Sequence, residues 1–428
     1  MQRARQESGR NIREVLPDRL CNLDRLLYAM DARHLDGLII TNPLNIFYLT
    51  SFNGVAHKSD EPRPYALILS KDEPENPILV IADYYLSSFS QQPTWISNIK
   101  PFRGVMMPLD LAPKSTDIER FISTPAKNLK WIEAAKKNYK FKMRDAVESA
   151  VKELALSKKE IGFDDMALGF RLSFEGLKIR DAYDCMMYAR AVKTPEERVL
   201  LKRATELNQE AIQKTVASWE PGVTWRDIDN FYTQSVIDLG GFVRDPGGMI
   251  WGHPRGSDPA LMLNAGLDNG EVHSGTHVMF DCHGTLDLYC WDGGKTWVVN
   301  DTLSESNKKI ADGTGEVASA VIAAMKPGAK ISELQALGRS IYRKVGISDP
   351  ESAVIFFHGL GLSHMDIETT LFDGTPNVDW KLEENMVVPL HLLYPGGEKE
   401  RLWLEEVVLI RKDGGEPLFS WGFNPLVN

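Results

Sequence analysis

Short apolar runs alternating with amphipathic stretches organise the chain. Over residues 17–32, Leu20, Leu23, Leu26, Leu27 and Met30 fall on one helical face. Residues 35–41, LDGLIIT, read as a buried strand that stops at Asn42-Pro43. Residues 45–52 follow as a short turn of helix or a strand. Apolar runs at 65–69 and 78–82 predict further strands, and a helical pattern returns near 143–155. Strands alternating with helices predict a small α/β domain over residues 19–180, preceded by a polar arm at residues 1–18.

A second unit is predicted over residues 190–428. Thr194, Pro195, Glu196 and Glu197 form a helix start, with an N-cap, a proline at the first position and acids in the first turn. The helix carries Val199, Leu200, Ala204, Leu207, Ala211 and Ile212 at three- and four-residue steps and ends before Pro221-Gly222. A related stretch returns at Pro327-Gly328. Each Pro-Gly turn follows a long amphipathic helix (195–218 and 305–324) and precedes a capping Thr or Ser and another helix. The repeat predicts two related α/β halves, and a cleft between halves is a natural place for chemistry.

The most informative stretch is 280–296, FDCHGTLDLYCWDGGKT. Asp281 ends the apolar run His277–Phe280, and Asp292 follows eleven positions later. A turn at 283–285 and a second run at 288–291 would join two strands and bring both carboxylates to one point. Buried carboxylates repel unless a cation or proton lies between them; two unrelated surface acids are the competing reading. His358 follows an apolar strand at 353–357 and precedes Gly359 and Gly361. His391 lies among apolar residues, as do Glu405 and Glu406, of which strand alternation turns one inward and one outward. Singly, each reads as a satisfied core histidine or an edge charge. Together, Asp281, Asp292, His358, His391 and Glu405 are oxygen and nitrogen donors suited to zinc, iron, manganese or cobalt.

The 428-residue chain is 43% hydrophobic and 25% charged, as soluble proteins are, with a net charge of -10 that argues against nucleic-acid and anionic-membrane partners. Its four cysteines show no CxxC pair, and core packing is the simplest reading of Cys282 and Cys290. Without a signal-peptide pattern or a membrane-length apolar run, the chain is expected to be cytoplasmic.

With these residues in order, the chain resembles the pita-bread superfamily of methionine aminopeptidase, prolidase, aminopeptidase P and creatinase. Residues 190–428 resemble the catalytic domain and residues 17–180 the N-terminal domain of prolidases and creatinase. The family's ligand order is Asp, Asp, His, Glu, Glu; here Asp281, Asp292, His358 and Glu405 match, and His391 stands where the fourth ligand is normally Glu. Imidazole cannot bridge two ions as a carboxylate does, so one tight divalent transition-metal site is expected rather than an equal pair. The family's second histidine is displaced to His364, and Asn264 stands near a position where the peptidases keep a substrate-facing His. A closer similarity, in Tyr289-Cys290, Thr296-Trp297, HGLGL and ENMV…LEE, is to the pita-bread dimethylsulfoniopropionate lyases. Their second acid is His283 here, which makes His283 a further candidate ligand. The resemblance implies a metal-dependent hydrolase of a small non-peptide C–N substrate, with His364 or Glu406 moving protons. The alternatives are a lyase with His364 as base, a peptidase and a catalytically dead binding module. Trp251, Trp291, Tyr48 and Trp95 are candidate pocket aromatics, and the family implies a homodimer.

Overall fold

The computed structural model describes residues 17, 19–54, 64–92, 94–104, 115–122, 124–172, 176–244, 248–253, 262–301, 304–396 and 401–427. Apart from Pro17, the arm expected at residues 1–18 lies outside them. The chain divides into two compact units. Residues 1–190 with 368–376 form the first, and residues 191–367 with 377–428 form the second.

The first unit is built on a six-stranded sheet. Its strands are β1 (Gly37–Ile40), β2 (Tyr65–Ser70), β3 (Ile78–Ala82), β4 (Asn98–Phe102), β5 (Glu160–Phe163) and β6 (Lys178–Asp181), in the order β4-β3-β2-β1-β5-β6. The pairings are parallel except for β1–β2 and β2–β3. Strands β1 to β3 are buried throughout, which is why they read as unbroken apolar runs rather than alternating ones. Helix α1 (Leu23–Ala32) carries the apolar stripe expected of it. The stretch after Asn42 is a helix, α2 (Pro43–Thr50). Asn42 Oδ1 caps the Leu44 N–H at 2.9 Å, and Pro43 takes the first position, where its missing N–H costs nothing.

The second unit holds a larger sheet of β8 (Ile250–His253), β9 (Leu263–Asn264), β10 (His277–Phe280), β13 (Gly294–Val298), β14 (Val354–Phe357), β15 (Val387–Tyr394), β16 (Leu402–Arg411) and β17 (Gly414–Pro417). Its order is β14-β15-β16-β13-β10-β8-β9, with β17 on β16. A small sheet pairs β7 (Phe242–Val243), β11 (Gly284–Leu286) and β12 (Tyr289–Trp291).

Two helix pairs repeat one plan. Helices α3 (Pro195–Ala217) and α4 (Trp225–Asp238) join through Pro221-Gly222, and α5 (Glu305–Ala324) and α6 (Ile331–Lys344) through Pro327-Gly328. Gly222 and Gly328 adopt φ of 97° and 90°, which a side chain would resist. Beyond each turn the chain makes the same backbone bonds to a later segment: Trp225 N to Gly270 O and Val272 N to Val223 O in one half, Ile331 N to Trp380 O and Leu382 N to Ala329 O in the other. Two apolar cores follow this division. One gathers Leu207, Ile228, Tyr232, Val278 and Trp291, the other Val317, Leu334, Ile355, Leu390 and Val408. The capping differs from expectation in the second half. Lys330, not Ser332, is the N-cap residue of α6, and its backbone N–H donates to Glu333, while Ser332 donates to Asp379.

Candidate metal centre

Strand register does most of the assembly. Phe356 pairs with His391, His391 with Glu405, and Glu405 with Gly294. Continuing the β10–β13 register by two residues brings Asp281 opposite Gly294. Directly paired residues face the same side of a sheet, so Phe356, His391, Glu405 and Asp281 form one row across five strands. Gly294, between Glu405 and Asp281, adopts a φ of 154°, and a Cβ there would come 2.6 Å from Phe280 O.

Asp292 joins from a detour between β10 and β13. The turn expected at 283–285 is displaced: Gly284 to Leu286 is strand, and the chain reverses at Asp287 and Leu288, with φ of 50° and 69°. Two consecutive positive φ values match the twist of paired strands, so a two-residue turn suffices. The hairpin returns Asp292 to where the chain left β10. Gly293, at φ 84°, lies against Glu405, and a Cβ there would come 2.7 Å from Glu405 Cγ.

The histidines of the HGLGLSH stretch are held by a buried acid. Asp366 accepts the Leu362 and Ser363 N–H groups at 3.1 and 3.2 Å and faces Lys193 Nζ at 3.4 Å, with both charged side chains at most 1% exposed. A Cβ on Gly361 would run into the Asp366 carboxylate and come within 2.7 Å of Lys193 Nζ. The glycine is required by this close approach.

The donors converge. One ligand atom from each of Asp292, His358, His391 and Glu405 lies within 4.8 Å of the others, all buried; His283, Asp292 and His364 form a second such group. Asp292 Oδ2 is 3.2 Å from His358 Nε2 and 2.7 Å from His364 Nε2, and Asp292 Oδ1 is 3.4 Å from His283 Nδ1. His283 Nε2 is 3.4 Å from Asp281 Oδ1, and His391 Nε2 is 3.1 Å from Glu405 Oε1. Both Glu405 oxygens, Asp292 Oδ2 and His358 Nε2 are buried without a well-directed hydrogen bond among the described residues. Unsatisfied buried acceptors are costly, and one cation among them would satisfy all four. This donor set fits a divalent transition metal.

The electrostatics agree. Burial, then the charges of Asp292 and Asp281, pushes the Glu405 carboxyl well above its ordinary value, as expected where acids crowd without a counter-ion. Burial alone would also raise Asp292, but the His358, His364 and His283 imidazoles outweigh it and hold Asp292 well below. Burial, aided by His358, lowers His391 to about 4, so its imidazole is neutral at pH 7 with a lone pair free for a metal. His283 goes up, because Asp281 and Asp292 outweigh its burial.

A cavity of about 370 Å³ opens onto this cluster, bordered by Asp281, His283, His364 and His391 and, further round, by Arg244, Cys290, Trp291 and Ser363. His364 is the most open of the histidines that border the cavity, its side chain 45% exposed. Trp291 borders the cavity, although its indole N–H is committed to Tyr232 Oη at 2.9 Å.

Several expected site residues lie elsewhere. Glu406 takes the opposite face of β16 from Glu405, accepts the Phe419 N–H at 3.1 Å and interacts with Lys295; strand alternation removes it from proton transfer in this cavity. Asn264 folds into its own turn, with Oδ1 accepting from Gly266 N at 2.9 Å, and Trp251 pairs with it in register. Neither is among the residues that border the cavity. Tyr48 is fully buried in the first unit, its hydroxyl bonded to Asn22 N and Ala189 O, so it offers no face to a substrate. Trp95, also in the first unit, donates to Leu49 O at 2.7 Å and carries Arg19 over its ring. Arg244, Lys193 and Asp366 had escaped the sequence reading. An arginine after a two-residue strand and a Lys–Asp pair 173 positions apart carry no local pattern.

A family model described as metallopeptidase family M24 matches residues 199–412, and one described as the creatinase/prolidase N-terminal domain matches residues 22–179. An uncharacterized peptidase of Staphylococcus aureus (strain bovine RF122 / ET3-1) is 22% identical over 409 residues, covering 93% of this chain and 99% of its own. Among solved structures, an X-Pro aminopeptidase from Thermotoga maritima MSB8 aligns with a TM-score of 0.66 at 18% identity, over 95% of this chain and 99% of that one. A prolidase from Pyrococcus furiosus aligns with a TM-score of 0.64 at 17% identity, over 92% and 98%.

Proposed function

The chain belongs to metallopeptidase family M24, and from that premise we propose that it is a metal-dependent hydrolase that cleaves a C–N bond in a small, non-peptide amide. The observation that carries the reading is the buried meeting of Asp292, His358, His391 and Glu405, in which both Glu405 oxygens, Asp292 Oδ2 and His358 Nε2 have no well-directed hydrogen bond among the described residues. These four residues would hold one divalent cation, zinc, iron, manganese or cobalt, tightly; Asp281 and His283 border it and would hold a second more loosely. When bound, such a cation supplies Lewis acidity toward a carbonyl oxygen and acidifies water.

The protein's own groups account for the remaining tasks. His364, open to the cavity and 2.7 Å from Asp292 Oδ2, is placed to take a proton and pass it to a departing amine, while Asp292 fixes the ring. The Lys193–Asp366 pair holds the loop that presents His364. The non-peptide part rests on His391, which stands where the peptidases carry a bridging carboxylate. The relatives and structures named above are peptidases by name and give elimination no support.

Turnover of a panel of small amides by the metal-loaded protein, run beside Xaa-Pro dipeptides, tests the reading. Release of amine from small amides with little cleavage of the dipeptides is the expected result. Efficient dipeptide cleavage would overturn the non-peptide part, and acrylate formed from dimethylsulfoniopropionate would restore elimination.

A further inference from the structure

We propose that Arg244 is the anchor for an anionic group of the substrate, so that the compound hydrolysed here carries a carboxylate. The inference rests on the hydrolase reading above and narrows it to a substrate class.

Arg244 follows β7 directly. Val243 pairs with Gly284, so one further step of that register sets Arg244 opposite His283, beside the acids and imidazoles. Its guanidinium borders the same cavity as Asp281, His283, His364 and His391, and it is the one lysine or arginine among the described residues that do so. One nitrogen, Nη1, is tied to Leu362 O at 3.2 Å and lies 3.6 Å from Cys290 Sγ. Leu362 is two residues before His364, so the loop that presents the proton carrier also fixes the arginine. No other bond of Arg244 and no carboxylate within ion-pairing distance of it is found among the described residues.

A guanidinium fixed at one nitrogen and open at the others is a planar fork that matches the two oxygens of a carboxylate. Holding it half-buried without an acid costs solvation that binding an anion would recover. The cavity volume lies near the lower end of the range for small-molecule sites. A small amide with its scissile group toward the histidines and its carboxylate toward Arg244 meets both constraints.

The test uses N-acetyl amino acids and the corresponding carboxamides, which differ only in the charge of that group. Binding is followed by calorimetry in the full-length protein, loaded with metal and again after chelator treatment, when no cation competes for the carboxylate. The acids are expected to bind at least tenfold more tightly than the carboxamides in both states. Arg244→Met should abolish that preference with metal content unchanged, and Arg244→Lys should retain part of it. The lysine variant, checked by its melting curve, serves if the methionine variant does not fold. Equal affinity for acids and carboxamides in the native protein, or a preference that survives Arg244→Met, would overturn the proposal. The two readings fail separately: a charge preference without turnover leaves Arg244 standing and removes the hydrolase, whereas turnover without a charge preference does the reverse.

Discussion

The deep and outer donor groups share Asp292 but differ in nearly everything else. The deep set, Asp292, His358, His391 and Glu405, is buried, and three of its members lie on or directly after strands of the large sheet. The outer set, His283, Asp292 and His364, rises toward the cavity, and His364 is nearly half exposed. Rigid strands fix donors within a narrow geometry, whereas a loop histidine open to water can exchange protons and partners. The contrast assigns retention of a cation to the deep set and proton traffic to the outer one.

The sharpest way to break that division is Glu405→Gln. It should lower kcat/KM by about a thousandfold, several kcal/mol of transition-state stabilisation, with the metal lost as measured by elemental analysis. His364→Ala should lower kcat by about a hundredfold or more while the deep set keeps its ion; loss of that ion would merge the two groups. A third variant probes the scaffold beneath them. Burial pushes Glu197 up to about 7 from an ordinary 4.5, while it accepts from Thr194 N and Tyr289 Oη. Its folded value exceeds its unfolded one, so the stability it contributes is present below about pH 4.5 and is lost as pH rises through 7. Glu197→Gln should therefore flatten the fall in denaturation free energy between pH 5 and 8, by about 2 to 3 kcal/mol. An unchanged pH profile would show that the buried carboxyl is compensated otherwise. The smallest effect is expected from Asp366→Asn, which loosens the loop behind both sets and should weaken metal affinity about tenfold, read by competition with a chelator.

Architecture was more legible in the sequence than the cavity wall. The two Pro-Gly turns, the capped helix at Thr194 and the apolar runs of β1 and β10 depend on local chemistry, and each appears where its pattern placed it. Asp281, Asp292, His358, His391 and Glu405 could be picked out because ionisable residues in apolar strands are rare, and the structure gathers them. The hairpin turn was misplaced because Gly284 resembles a turn residue, whereas Asp287 and Leu288 adopt positive φ without a glycine. Tyr48, fully buried, fits no pocket; read from sequence, an aromatic residue looks the same in a core and in a pocket. Glu406 shows the limit of alternation: it states that two adjacent acids face opposite ways, and only the pairing with His391 decides which one faces the donors.

Titration of chelator-treated protein with manganese or zinc in a calorimeter tests the central claim most directly. The account predicts one tight binding event that Glu405→Gln abolishes and His283→Ala spares, followed by a weaker event that His283→Ala removes. A folded native protein that binds neither ion, or a tight event lost with His283 and retained without Glu405, would contradict it.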